Sequence, residues 1–98
     1  MAAYVIAEVS VTDPDGYEQY KPLAGASVAA AGGTYLARGG TSDSLEGDPV
    51  AGRIVILRFD TLDAARAWYH SDAYQAAVPL RQAASEGRVY IVEGAEPQ

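Results

Sequence analysis

Ninety-eight residues make a single domain, and with 49% apolar content and no apolar run near the ~20 residues of a membrane span, a globular protein is expected, not a membrane one. The absence of cysteine excludes disulfides, thiolate nucleophiles and zinc–thiolate sites. A net charge of −6 with scattered acidic residues repels phosphate backbones, so no nucleic-acid partner is expected.

In chain order, Tyr4 to Val11 reads as a strand, with Val5, Ala7, Val9 and Val11 on one side and Tyr4, Ile6, Glu8 and Ser10 on the other. Asp13-Pro14 opens a helix, with a capping oxygen followed by proline at the first helical position. Tyr17, Tyr20, Ala24, Val28 and Ala31 recur at helical spacing until Gly32-Gly33 stops the element, and Pro22 is expected to kink or split it. Thr34 to Arg38 is a short strand ended by Gly39-Gly40, and residues 41–52 form a loop. Arg53 to Phe59 is the third strand. Asp60 or Thr61 caps a helix through Tyr69, Ser71 caps a second piece that Pro79 bends and Gly87 ends, and Arg88 to Glu93 is the last strand. Residues 94–98 are expected to fray as a tail.

The order β-α-β-β-α-β is the ferredoxin-like plan, an α+β fold with a four-stranded antiparallel sheet. It places the first and third strands at the sheet centre. Ile54-Val55-Ile56-Leu57 in the third strand is apolar on both faces, so something must cover both. Helices cover one. The other carries Ile6, Glu8, Ile54, Ile56 and Arg58 over a sheet face on the order of 400 Å². Homodimerisation through that face is the expected solution.

The strand Tyr4–Val9, Asp13-Pro14 with Tyr17 and Tyr20, and the run Gly32–Gly40 carry a family resemblance. So do Leu45-Glu46-Gly47, Ala64–Tyr69, Ser71 with Tyr74, Pro79–Arg81 and Val92-Glu93-Gly94. Together they resemble an uncharacterised bacterial domain family within the dimeric α/β-barrel superfamily. The resemblance implies a homodimer whose two sheets close around a shared barrel. Relatives in that superfamily include cofactor-free quinol monooxygenases, muconolactone isomerase-like enzymes, haem-degrading enzymes and chlorite dismutase-like proteins. Such a spread on one fold leaves the function open, and no catalytic residue transfers.

The residues themselves offer candidates. His70, the sole histidine, could be a general base or haem ligand, but its position before a serine cap suits a helix-end residue better. No His-x-His or carboxylate–histidine spacing accompanies it, so neither metal nor cofactor is expected. Glu8 and Arg58 share the outer face and, if buried there, would need each other, as a polar focus for substrate or as an interface ion pair. Arg38, before Gly39-Gly40, suits an anionic substrate or a pair with Glu46. Tyr17, Tyr20, Trp68, Tyr69 and Tyr74 supply helix packing or an aromatic pocket between sheet and helices. With Arg38, Arg58 and Arg81 they make the candidate ligand-binding set; Glu8 and His70 are the catalytic candidates. Three readings follow: a cytoplasmic homodimer binding a small organic molecule, a cofactor-independent monooxygenase or isomerase, and a non-catalytic interaction dimer.

Overall fold

Alternation in the first strand decides which way the whole chain folds. The computed structural model describes residues 1–50 and 52–95. β1 (Ala3–Val11) buries Ala3, Val5 and Val9 on one side and leaves Tyr4, Ile6, Glu8 and Ser10 half-buried on the other. Asp13, extended at φ −131°, accepts a hydrogen bond from Gly16 N at 3.3 Å, and Pro14 opens α1 (Pro14–Ala30). Gly32 (φ +77°) ends it, with Gly33 N donating to Val28 O at 2.9 Å. β2 (Thr34–Arg38) and β3 (Arg53–Phe59) follow, then α2 (Leu62–Tyr69), α3 (Asp72–Ala84) and β4 (Ser85–Glu93). Thr61 and Ser71 cap α2 and α3, each side-chain oxygen accepting from the backbone three residues on.

Two expectations need correction. α1 is not split at Pro22, and α3 runs through Pro79. Each proline deprives a carbonyl four residues back, on Glu18 and Gln75, and all four residues are exposed, so water can take the place of the lost donor. The second concerns β4, which begins at Ser85 directly after α3, three residues before the expected start. Gly87 is no helix stop: it pairs with Val9, where a Cβ would land on the Glu8 carbonyl oxygen. The Ala84 carbonyl accepts from Thr12 N and Asp13 N at 2.8 and 3.0 Å, which ties the end of α3 to the β1–α1 corner.

The sheet is antiparallel in the order β2-β3-β1-β4, with β1 and β3 at the centre as expected. All three helices pack on the face of Val5, Val9, Leu57 and Phe59, and Tyr17, Tyr20, Ala24, Val28, Trp68, Tyr74, Ala77 and Val78 complete the core. The chain is therefore two layers thick, and its extents of 40 × 38 × 16 Å are those of a slab. Its second sheet face carries Ile6, Ile54, Ile56, Tyr90 and Val92, and no helix or second sheet among the described residues covers it. At the tail, Gly94 N donates to Ala2 O at 2.7 Å; residues 96–98 of the expected frayed segment lie outside the described residues, as does Ala51 of the loop. No helix among the described residues is long and apolar enough to cross a membrane.

Candidate functional site

Between the helices and the sheet lies a cavity of about 40 Å³, room for roughly three water molecules, which opens at one side of the slab. Strand positions Val5, Ala7, Val9, Val55, Leu57 and Val89 form its floor. Aromatic residues form its walls: Tyr17 and Tyr20 from α1, Tyr35 from β2, Trp68 from α2 and Tyr74 from α3. Trp68 and Tyr74 stack with centroids 4.1 Å apart, and the indole is fixed by its N–H donating to Ser27 Oγ at 3.0 Å. Ser27 in turn donates to Ala24 O at 2.7 Å.

Tyr20 and Tyr74 share a hydroxyl–hydroxyl hydrogen bond of 2.8 Å. Burial first, then the neighbouring Tyr74, holds the Tyr20 phenol far above its ordinary range, so it is a neutral hydroxyl at any physiological pH. Burial also raises Tyr35. Tyr20 and Tyr35 therefore meet the cavity as neutral phenols.

Its charge is one-sided. Lys21, Arg38, Arg53 and Arg81 line the cavity, and among the described residues no aspartate or glutamate does. The Arg38 guanidinium lies 4.2 Å from the Tyr35 ring centroid, and Arg53 lies 5.9 Å from that of Tyr17. Arg38 reaches the cavity because of a register shift in β2. Thr34 faces Arg58 on the outer side, but the irregularity between Tyr35 and Ala37 brings Arg38 opposite Val55 on the covered side. A glycine leaves space for Arg53: a Cβ at Gly39 would collide with its guanidinium, whereas one at Gly25 would make only ordinary contact with Arg38 Nη2 at 3.5 Å. Arg81 is 9% exposed. The Nε atoms of Arg53 and Arg81 are both buried without a hydrogen-bond partner among the described residues.

Six of the ten residues singled out from sequence thus meet in one place: Tyr17, Tyr20, Arg38, Trp68, Tyr74 and Arg81. Tyr69 is half-buried and outside the cavity lining, its ring tilted by 50° against Tyr74 with centroids 5.6 Å apart. His70 is exposed at the end of α2, its ring edge-on to Tyr69. Glu8 and Arg58 are on the opposite sheet face, and the expected pair between them does not form. Glu8 stands opposite Ile54 and Arg58 opposite Tyr4, too far along the strands to meet. Arg58 instead pairs with Asp60 at 2.9 Å. Glu8 accepts from Tyr90 OH at 2.8 Å and from Arg88 Nε and Nη2 at 3.1 and 3.3 Å. Those bonds, that of Tyr90 first, lower its pKa, which suits a fixed anion rather than a base. The Arg38–Glu46 pair is likewise absent among the described residues, the guanidinium lying over Tyr35 instead. Sequence reasoning passed over Lys21, Tyr35 and Arg53. Arg53 had a signal: it shares strand parity with Leu57 and Phe59.

The sequence pattern of DUF1330, a domain of unknown function, matches residues 2–95. No curated protein matches the chain. Among solved structures, it is similar to a protein of unknown function from Rhodopseudomonas palustris, at 20% identity and a TM-score of 0.76 over 98% of this chain and 84% of that one. It is also similar to SnoaB, a cofactor-independent oxygenase from Streptomyces nogalater, at 13% identity and a TM-score of 0.66 over 98% and 95% of the two chains. A Caulobacter crescentus protein assigned to the antibiotic biosynthesis monooxygenases gives 16% identity and a TM-score of 0.62, over 97% and 91%. At these identities the likeness is one of fold.

Proposed function

Because the chain belongs to the DUF1330 family of domains of unknown function, we propose its role from its own cavity: it binds a small organic molecule between helices and sheet, as a homodimer joined through the open sheet face. The observation that carries the binding reading is the convergence of five aromatic side chains and four cations on one opening. A core that served stability alone would have no use for guanidinium groups with buried, unpartnered Nε atoms. The dimer is supported by the slab shape and by apolar residues on the outer face, including Tyr90 and Val92 at 40% and 47% exposure.

Native mass spectrometry of protein purified from its own host tests both parts. A dimer of two 10.3 kDa chains carrying an additional small-molecule mass is the expected result. A monomer would remove the dimer; protein that takes up no small molecule, from its host or from an added panel of aromatic compounds, would remove the binding reading.

A second reading, oxygenase or isomerase chemistry, draws on the likeness to SnoaB. The cavity lining gives it less support, because among the described residues it holds no carboxylate or imidazole to accept a proton. Burial holds the phenols of Tyr20 and Tyr35 in the protonated form, so their part there is to donate hydrogen bonds. Oxygen consumption with any bound host molecule, lost on Tyr74→Phe with binding retained, would favour catalysis over sequestration.

A further inference from the structure

The geometry points to an organic anion, of the aryl carboxylate class, as the ligand of this cavity, with its carboxylate directed at Arg81 and its ring between the tyrosines. This rests on the cavity being the ligand site and goes further by fixing the ligand's charge and shape.

The distribution of charge is the first support. The chain has seven basic residues against thirteen acidic ones, yet four of the seven line this one cavity. The other three are each matched to a carboxylate: Arg58 to Asp60, Arg66 to Asp63 and Arg88 to Glu8. Lys21 at the mouth has Glu18 at 2.7 Å. Arg38, Arg53 and Arg81 take part in no ion pair among the described residues. An acidic protein therefore concentrates its unmatched positive charge where apolar walls lower the dielectric, and a field of one sign in such a place attracts the opposite ion.

Arg81 is the second support. It is nine-tenths buried, and its buried Nε has no partner among the described residues. Guanidinium cannot shed its proton to escape burial, and an anion beside it compensates its charge as well as its N–H group. Arg38 and Arg53 lie over tyrosine rings, at 4.2 and 5.9 Å from the centroids, and a guanidinium so placed can still offer N–H groups to a carboxylate.

The third support is a count of protons. Tyr20 and Tyr74 carry two hydroxyl protons, and the bond between them uses one. Whichever tyrosine donates, the other has a hydrogen left to give, and an acceptor-only carboxylate matches a lining of donors. The volume of about 40 Å³ suits a head of three heavy atoms, with the ring left to the lining tyrosines, Tyr17 and Tyr35 among them.

The test compares benzoate and phenylacetate with benzamide and phenylacetamide, which match them in shape without the charge. Binding is followed at pH 7 and low salt by fluorescence of Trp68, the single tryptophan, and by thermal shift. The acids should bind at least about tenfold more tightly than the amides, as hydrogen bonds to charged groups allow. Arg81→Met should abolish that preference while raising the melting temperature of the unliganded protein, since it replaces a buried unpaired charge by an apolar chain. Arg38→Gln should weaken the acids more than the amides. Equal binding of acids and amides would overturn the anion and keep the cavity. No response from any of the four would overturn the cavity reading with it. If Arg81→Met lowers the melting temperature and leaves benzoate binding intact, Arg81 is structural and the inference fails.

Discussion

A hydrogen bond at one residue can be separated from its packing by asking which pH it depends on. Glu8 has its pKa lowered in the folded chain, by Tyr90 first and Arg88 second. A depressed carboxyl stabilises the fold at pH above its unfolded value of about 4.3, and that contribution disappears as pH falls through the lower folded value. Glu8→Gln should therefore lower the melting temperature at pH 7, by a margin that shrinks as the pH falls below about 4, which parallel thermal scans would check. A gap between the two proteins that stays constant on acidification would mean that packing, not charge, is responsible. Inside the core the analogous pair is neutral. Ser27→Ala removes the acceptor of the Trp68 indole N–H, in a place where both residues are buried. An unsatisfied buried donor costs about 1–3 kcal/mol, readable by urea unfolding with Trp68 as the fluorophore.

Elements meet under tighter limits than single residues do, and the turn from α1 to β2 shows it. A Cβ on Gly33 would lie 2.7 Å from the Phe59 ring and 3.0 Å from Val28 Cγ1. Both neighbours are core side chains with nowhere to move, so Gly33→Ala should destabilise by about 1–3 kcal/mol of overpacking, with a normal denaturant slope. Local chemistry made much of this level legible from sequence: the caps Asp13, Thr61 and Ser71, the glycine stop at 32–33 and the apolar third strand are signals a few residues long. The start of β4 was not legible, because Glu86-Gly87 has the composition of a turn and is a strand only by pairing with β1, some eighty residues away. The same holds for the cavity. Its helix-borne aromatics follow from periodicity, but Arg38 faces inward only through the β2 irregularity, and Glu8 finds Arg88 and Tyr90 only through register.

At the scale of the whole molecule, the question is what covers the second face of the slab. Ile6 stands between Ile56 and Tyr90 at its middle, with Ile54 and Val92 nearby. The strands alone provide on the order of 400 Å², short of the roughly 800 Å² per partner of a standard interface. Residues outside the sheet must then contribute. The loop between β2 and β3 is placed to do so, since it carries Leu45 at 91% exposure and Val50 at 43%. A lysine at the centre of such a face meets its own copy across a two-fold axis, so Ile56→Lys puts like charges into an apolar interface and should give a folded monomer by sedimentation. Leu45→Ser should only weaken association. The cavity lies on the other side of the sheet and is lined within one chain. Monomeric Ile56→Lys should for that reason retain ligand binding, with Trp68 fluorescence responding at the same concentrations as in the parent protein. Loss of binding together with the dimer would mean that the partner shapes the site, and retention would separate assembly from recognition. A parent protein that already sediments as a monomer would leave the apolar face without this explanation.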